Sequence, residues 1–316
     1  MFENYKFRPH SIVNIMGGVP KPLTPRQQAT HDSLLERYNN PEAKPLTVTQ
    51  LGTLGSLIEK KNAKCTLTDG AKKYLEQLVY EHLTKRSSKI KAKYLDKGIQ
   101  KEDKSFTTYS NVIDKLLIKN KVRKQNDFFN GECDNAQSKI RDMKTSWSYE
   151  SFPLTDTAIK NKAYEWQLDC YMDLWELKEA ELVYVLVDTP TRLLNDELKR
   201  LDWKHNVYDQ EGNIKDDIGR DLVVETVCNH IFTEKGLEAF CQESSLQVQL
   251  DWFKGVFVEI PEEMRVKVFH HAYCSVRNSQ LKEMVKLARE YMDTVLMSIP
   301  ENQKKLVELK SIQKVA

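Results

Sequence analysis

The chain lacks the features that would place it in a membrane or outside the cell. None of its apolar runs approaches the roughly 20 residues that a bilayer-spanning helix requires. Its start, residues 1–10, is polar and mixed in charge, so we expect no secretory leader. It also has no internal repeat and no long low-complexity linker. From these absences we expect a cytoplasmic protein without a membrane segment.

Paired cysteines are absent as well. The six cysteines are scattered and form no CxxC pair, which argues against a zinc ribbon or an iron–sulfur centre. A long chain without a secretory leader has little need of disulfides. We therefore expect reduced thiols, several of them in the core.

A strong overall charge is missing, but charge is unevenly distributed. The net charge is +2, whereas residues 85–124 hold thirteen Lys and Arg against four acids, a local excess of +9. Such a block attracts phosphates, although a solvated helix face has the same composition. From its end we take Lys119, Lys121 and Arg123 as candidate DNA-binding residues.

Periodicity predicts a mixed α/β (α+β) chain. Amphipathic helices are expected at about 25–38, 47–61, 68–84, 107–120, 156–180 and 279–298. Strands are expected at 128–134, 139–146, 182–187 and 265–273. A buried strand after a crossover helix predicts a βαβ unit in a mixed central sheet, flanked by many helices.

We expect one domain over residues 1–316, with three parts. The first, 1–94, is helical; 95–190 forms the core that carries the chemistry; and 191–316 is helical with an added strand. The length allows a single large core with such appended parts.

Two acids and a lysine in the middle of the chain suggest metal-dependent phosphodiester hydrolysis. Asp142 and Lys144 share one face of a strand, which sets a metal ligand beside a cation. Asp134 precedes them in an expected hairpin. A loop of two or four residues would pair Asp134 opposite Lys139 and turn it away from that face, whereas a loop of three or five residues, or a bulge, pairs it opposite Ile140 and brings all three onto one face. We predict the odd register. The acid-x-Lys triplet recurs elsewhere, and Asp134 could simply form a turn before Asn135.

The same region resembles a nuclease family. The resemblance rests on Gly131-x-x-Asp134, Ile140-Arg141-Asp142-Met143-Lys144-Thr145 and Gln167-x-x-x-Tyr171. These motifs are similar to the PD-(D/E)XK nucleases of the RecB and lambda-exonuclease type, with a restriction-endonuclease-like core. Residues 97–102 resemble a glutamate-bearing helix of the YqaJ-type viral recombinase nucleases, and segments 7–11, 15–16 and 144–148 also look like such phage proteins. The close match covers about 95–190.

The resemblance implies specific roles. Glu102, Asp134 and Asp142 would surround a Mg²⁺ ion, replaceable by Mn²⁺, with the Met143 carbonyl as a further ligand. Lys144 would act on the attacking water. Gln167 and Tyr171, one helical turn apart, would face the site. The family's usual Asp-Gly is Asp134-Asn135 here, and Glu132 lies close enough to compete for the role of the acid.

The resemblance also implies a biological setting. It predicts a bacteriophage exonuclease for DNA recombination that degrades linear double-stranded DNA 5′ to 3′ in the host bacterial cytoplasm. The exposed strand would pass to a single-strand annealing protein, and ring-shaped trimers in some relatives suggest a homo-oligomer. A structure-specific endonuclease and a non-catalytic DNA-binding protein are the alternatives.

Three further residues are candidates for DNA contact. Trp147 could stack on a frayed end, although an aromatic residue after a strand commonly belongs to the core. Ser11 and Lys21, beside Gly17-Gly18, could cradle a 5′-phosphate, or form a plain loop.

Overall fold

The computed structural model describes residues 1–87 and 92–300. The described chain divides into two compact units, and the single domain over 1–316 stays a prediction. One unit contains 1–87, 127–129 and the residues from Cys274 on; the other contains the described residues up to Asn126 together with Asn130–Tyr273. Segments far apart in sequence come together in the first of these units, where the last described helix contacts elements near the start of the chain.

The first unit is built from helices. After a 3-10 segment at Pro9–Gly18 come α1 (Pro25–Asn39), α2 (Val48–Lys61) and α3 (Asp69–Thr84), and α9 (Ser275–Ser298) packs against α3. Thr24 and Thr47 both form capping boxes with the glutamine three residues later. These local signals explain why the predicted starts of α1 and α2 are confirmed.

The second unit holds a three-stranded sheet in the order β3-β4-β5. Its strands are β3 (Ile140–Thr145), β4 (Glu179–Val185) and β5 (Val266–Ala272). β3 and β4 are parallel, joined by the crossover helix α5 (Lys162–Trp175), whereas β4 and β5 are antiparallel. The predicted βαβ unit and mixed sheet are therefore confirmed, and β4, the central strand, is buried along most of its length.

The second unit also contains two 3-10 segments, at Leu250–Phe253 and Glu262–Arg265. Its other elements are α4 (Lys93–Val112), which packs against the sheet, a small ribbon of β1 (Lys124–Gln125) and β2 (Asn130–Gly131), α6 (Thr191–His205), α7 (Asp217–Cys228) and α8 (Glu234–Glu243). Helices α6–α8 enclose their own apolar cluster around Leu194, Val227 and Phe240.

Two predicted elements are wrong. The helix expected at 107–120 ends at Val112, because Asp114 adopts a left-handed backbone with φ of 47°, and Leu116 is left exposed. The strand expected at 128–134 is divided: Phe129 bridges to Phe7, and Asn130–Gly131 pair with β1. Part of the basic segment, residues 88–91, lies outside the described residues.

In the described residues, no helix is both long enough and apolar enough to span a membrane. All six cysteines are free thiols, and three of them are buried.

Candidate active site

Asp134 and Asp142 face each other across a short antiparallel bridge. Asn135 and Arg141 exchange both backbone hydrogen bonds, of 3.2 and 2.8 Å, around the loop 136–140. Continuing that register one residue outwards puts Asp134 opposite Asp142, with both side chains on one face. The loop has an odd number of residues, as predicted, so Asp134 and Asp142 share one face. The residue opposite Asp134 is Asp142, however, and not Ile140.

The Asp134 carboxylate is fixed by the backbone of β3. Its Oδ2 accepts a hydrogen bond of 2.6 Å from the Met143 amide. Burial raises the pKa of Asp134, the negative charge of Asp142 raises it further, and the Met143 hydrogen bond opposes both. Two neighbouring carboxylates that are shielded from water repel each other. A bound cation would reduce that repulsion.

Lys144 lies on the same face of β3 as Asp142. Its Nζ is 2.5 Å from Asp142 Oδ2 and 4.7 Å from the centre of the Tyr164 ring in the first turn of α5. Burial by itself lowers the pKa of Lys144, but the attraction of Asp142 and Asp134 outweighs it, so the pKa is raised. The lysine therefore remains an ammonium beside the acids.

Helix α5 contributes two polar side chains to the site, Gln167 and Tyr171. Gln167 Nε2 donates to Asp142 Oδ1 over 3.2 Å and lies 3.4 Å from the Tyr171 hydroxyl. Both side chains are buried. Burial raises the pKa of Tyr171, with a further contribution from Asp142, so its hydroxyl remains protonated. The structure thus places Gln167 against Asp142 and Tyr171 against Gln167, on the single helical face that their spacing predicted.

Glu102 is placed differently. It lies on α4, which is joined to β3 by a hydrogen bond of 2.9 Å between the hydroxyls of Ser105 and Thr145. Its charge contributes to the raised pKa of Asp134, but its Oε2 is 2.7 Å from Lys119 Nζ. Within 1–87 and 92–300, no three His, Cys, Asp or Glu side chains are grouped as a metal site. The predicted set of three carboxylates is therefore not assembled as a cluster.

Asp134, Asp142 and the Met143 backbone nevertheless suit a hard divalent cation. In a strand the N–H and C=O of one residue point to the same edge, so the Met143 carbonyl faces the Asp134 side, as its amide does. One Asp142 oxygen, Oδ2, is buried and has only the lysine ion pair. Mg²⁺ is commonly held by one or two carboxylates, with other positions left to water and phosphate oxygens.

The predicted DNA contacts are dispersed. Lys119 is paired with Glu102, Arg123 lies 3.7 Å from Glu132, and Lys121 is exposed. Glu132 is exposed, whereas Asp134 accepts the hydrogen bond from the Met143 amide. Trp147 follows β3. Lys93 Nζ lies over the Trp147 ring, 4.8 Å from the ring centre, and the His230 ring packs edge-on against Trp147.

Ser11 and Lys21 belong to the other unit. The Ser11 hydroxyl donates to the Arg8 carbonyl over 3.1 Å, and Lys21 is exposed. Gly18 has a packing reason: a Cβ there would lie 1.8 Å from the carbonyl oxygen of Thr66. The glycine is therefore explained without a phosphate.

The residues behind the two acids were not predicted from the sequence. Arg141, to which we assigned no role, is 4% exposed, and it bonds to Asn135 and Glu181, which are also buried. The signal in the sequence was the position of Arg141, a charged residue that alternates with Asp142 and therefore lies on the other face of the predicted strand. Tyr164, beneath Lys144, was also missed.

Comparisons with known proteins support the fold. No family model matches the chain, and no curated protein matches it. The crystal structure of a phage-related exonuclease from Haemophilus somnus 129PT superposes with a TM-score of 0.57 at 20% identity, covering 94% of this chain and 97% of that one. The chain therefore has the mixed α/β fold of that exonuclease, as the resemblance predicted.

An alkaline exonuclease from Laribacter hongkongensis is more distant. It aligns with a TM-score of 0.42 at 12% identity over 79% of this chain and 89% of that chain. Its complex with dAMP gives 0.41 at 11% identity. Scores this low carry no further argument.

Proposed function

We propose that the protein is a Mg²⁺-dependent exonuclease that degrades linear double-stranded DNA, 5′ to 3′, in phage-type recombination. One observation carries the proposal: Asp134, Asp142, Lys144 and Gln167 converge at one buried place on a fold shared with a phage-related exonuclease. Two acids that can hold a metal ion, beside a cation that can stabilise negative charge, suit metal-dependent phosphodiester hydrolysis.

Each side chain has a role that follows from its position. Asp134, Asp142 and the Met143 carbonyl would hold the ion, which when bound supplies charge neutralisation at the phosphate and activation of water. Lys144, already charged, would orient the attacking water and stabilise negative charge on the phosphate. Gln167 would keep Asp142 Oδ1 oriented, and Tyr171 would fix the Gln167 amide. Glu102 would join the site only by leaving Lys119.

The setting of the reaction is part of the proposal. The substrate would be a double-stranded DNA end, and the exposed strand would pass to a single-strand annealing protein in the host bacterial cytoplasm. Mn²⁺ would replace Mg²⁺, since both favour carboxylate and carbonyl oxygens. A homotrimer around DNA is the assembly that the resemblance favours.

The test is digestion of end-labelled linear duplex and closed circular DNA in Mg²⁺. Wild type is compared with Asp142→Ala and Lys144→Ala. Loss of linear DNA alone, abolished by both substitutions, supports the exonuclease, and separate 5′ and 3′ labels decide its polarity. Cutting of the circle would establish the endonuclease alternative. Binding without any cleavage would establish a non-catalytic DNA-binding protein.

A further inference from the structure

A buried polar network lies behind the proposed metal site, on the opposite face of β3. It consists of Arg141, Asn135 and Glu181, together with Lys139 and Tyr109, and is called here the Arg141 network. Asn135 is 0%, Arg141 4% and Glu181 5% exposed. Side chains alternate along a strand, so Arg141 points away from the face of Asp142 and Lys144. The network therefore does not touch the groups proposed to react.

Arg141 connects three pieces of backbone. Its Nε donates to Glu181 Oε2 on β4 over 2.8 Å, and its Nη1 donates to Asn135 Oδ1 over 2.9 Å. Its backbone forms the bridge with Asn135. The guanidinium thus joins β3, β4 and the turn that carries Asp134.

Glu181 and Asn135 extend the network to the remaining parts of the site. Glu181 accepts hydrogen bonds from Lys139 Nζ, at 2.9 Å, and from the Tyr109 hydroxyl, at 3.0 Å. Tyr109 lies on α4, the helix that carries Glu102. The Asn135 amide donates to the Ile118 carbonyl over 2.8 Å. Every backbone segment that presents a proposed metal ligand is therefore bonded to this network.

Both acids are immediate neighbours of network residues. Asn135 follows Asp134, and Arg141 precedes Asp142. The separation of the two carboxylates is consequently set by the Asn135–Arg141 pair. A buried ion pair contributes little net stability, because desolvation offsets its attraction, so stability alone is a weak reason to hold these charges here.

We propose that the Arg141 network positions Asp134 and Asp142 for divalent cation binding, with Arg141 and Asn135 as positioning residues. The proposal rests on the proposed metal-dependent function for its purpose, but not for its geometry. It makes the placement of Asp134, rather than the fold as a whole, depend on Arg141.

The Met143 amide reports that placement without any metal, because its partner is Asp134 Oδ2. We compare Arg141→Met with Arg265→Met, since Arg265 is equally buried at 3% and lies in the same unit, just before β5. Hydrogen exchange at the Met143 amide should be roughly tenfold faster in Arg141→Met, the loss of about one hydrogen bond. It should be unchanged in Arg265→Met. Equal effects in both variants would overturn the proposal.

A second readout is the affinity for Mn²⁺ in the absence of DNA, measured by electron paramagnetic resonance. Arg141→Met should weaken binding about 10–100-fold, as is usual for residues that orient metal ligands. Arg141→Lys should recover only part, because lysine cannot make both hydrogen bonds. Wild type should bind Mn²⁺, and Asp142→Ala should abolish that binding. If wild type does not bind, or if Asp142→Ala binds equally well, the proposed metal-dependent function is wrong. Exchange of the Met143 amide still decides the positioning role in that case.

Asn135→Ala protects the test against misfolding of Arg141→Met. It removes the side-chain hydrogen bonds of Asn135 to Arg141, Ile118 and Gln137, but leaves the backbone bridge to Arg141 and the Arg141–Glu181 ion pair. Faster exchange at the Met143 amide is expected here too. Wild-type exchange together with wild-type Mn²⁺ affinity in a folded Asn135→Ala variant would overturn the role of Asn135.

Discussion

Lys144 Nζ lies 2.5 Å from Asp142 Oδ2, and both side chains leave β3 on the same face. The carboxylate is almost enclosed, with 3% of the Asp142 side chain exposed, whereas 23% of the Lys144 side chain is exposed. The Lys144 ammonium is therefore already in place beside Asp142 and can act on a substrate without moving in from the surface. This relationship separates the proposed catalytic lysine from the surface lysines of the chain.

Removing the Lys144 charge should abolish most cleavage while leaving DNA binding intact. We expect Lys144→Met to lower the single-turnover rate at least about 100-fold, the usual scale for a group that acts on the reacting water. Lys267→Met is the matched control, since Lys267 is half-buried in the same sheet and lies 5.8 Å from the Phe269 ring centre. A similar loss in both variants would contradict a special role for Lys144.

Gln167 and Tyr171 should differ in importance, although they lie on one helical face. Gln167 contacts Asp142 directly, whereas Tyr171 reaches it only through Gln167. Gln167→Ala should slow cleavage roughly 10–100-fold, the equivalent of about 1–3 kcal/mol for a buried hydrogen-bond partner. Tyr171→Phe should slow it less than tenfold. Single-turnover rates at saturating DNA decide, and the reverse ranking would contradict the assigned order.

Local signals explain what the sequence could predict. The capping threonines of α1 and α2 act within four residues, and Gln167 and Tyr171 need only a helix to share a face. Such patterns require no knowledge of the fold. The same is true of Asp142 and Lys144 on one strand.

What the sequence could not predict depends on distant partners. Glu181 lies 40 residues after Arg141, and the pair forms only once β3 and β4 are parallel neighbours. Lys119 looked like a free phosphate-binding cation until the fold set it beside Glu102. The charge of a residue can be read locally, but its ion-pair partner cannot.

The position of Glu102 leads to a graded prediction. Its carboxylate is about one-third exposed and paired with Lys119, whereas Asp142 is buried among the site residues. We therefore expect Glu102→Gln to raise the Mg²⁺ concentration needed for half-maximal cleavage less than Asp142→Asn does. Mg²⁺ titrations of the two variants measure this. Equal shifts would mean that Glu102 leaves Lys119 and becomes a full ligand.

Of the three candidate DNA-binding residues after α4, Lys119 is paired with Glu102 and Arg123 lies near Glu132, whereas Lys121 is exposed. If it contacts phosphate, Lys121→Ala should weaken DNA binding and reduce the slope of log affinity against log salt by about 1. Lys235→Ala, at an exposed lysine on α8, should leave the slope unchanged. Binding is measured at several salt concentrations without divalent cations. An unchanged slope for Lys121→Ala would remove it from the DNA path.

Lys97 should make the stability of the protein depend on pH. Its side chain is fully buried and donates to the Trp147 carbonyl over 2.9 Å, and burial lowers its pKa to about 7. Between about pH 7 and 10.5 the unfolded chain binds a proton that the folded chain does not, so folding becomes more favourable as pH rises. This group contributes a slope of up to about 1.4 kcal/mol per pH unit within that window.

Replacing Lys97 by methionine should remove that slope. We expect the free energy of unfolding of Lys97→Met to rise less steeply between pH 7 and 10 than that of wild type. Denaturant unfolding at several pH values measures the difference, with Lys235→Met as the control that should follow wild type. The comparison between variants cancels the other titrating groups, because they are common to both proteins. Parallel curves for wild type and Lys97→Met would show that Lys97 remains charged in its buried site, with its pKa near the ordinary value.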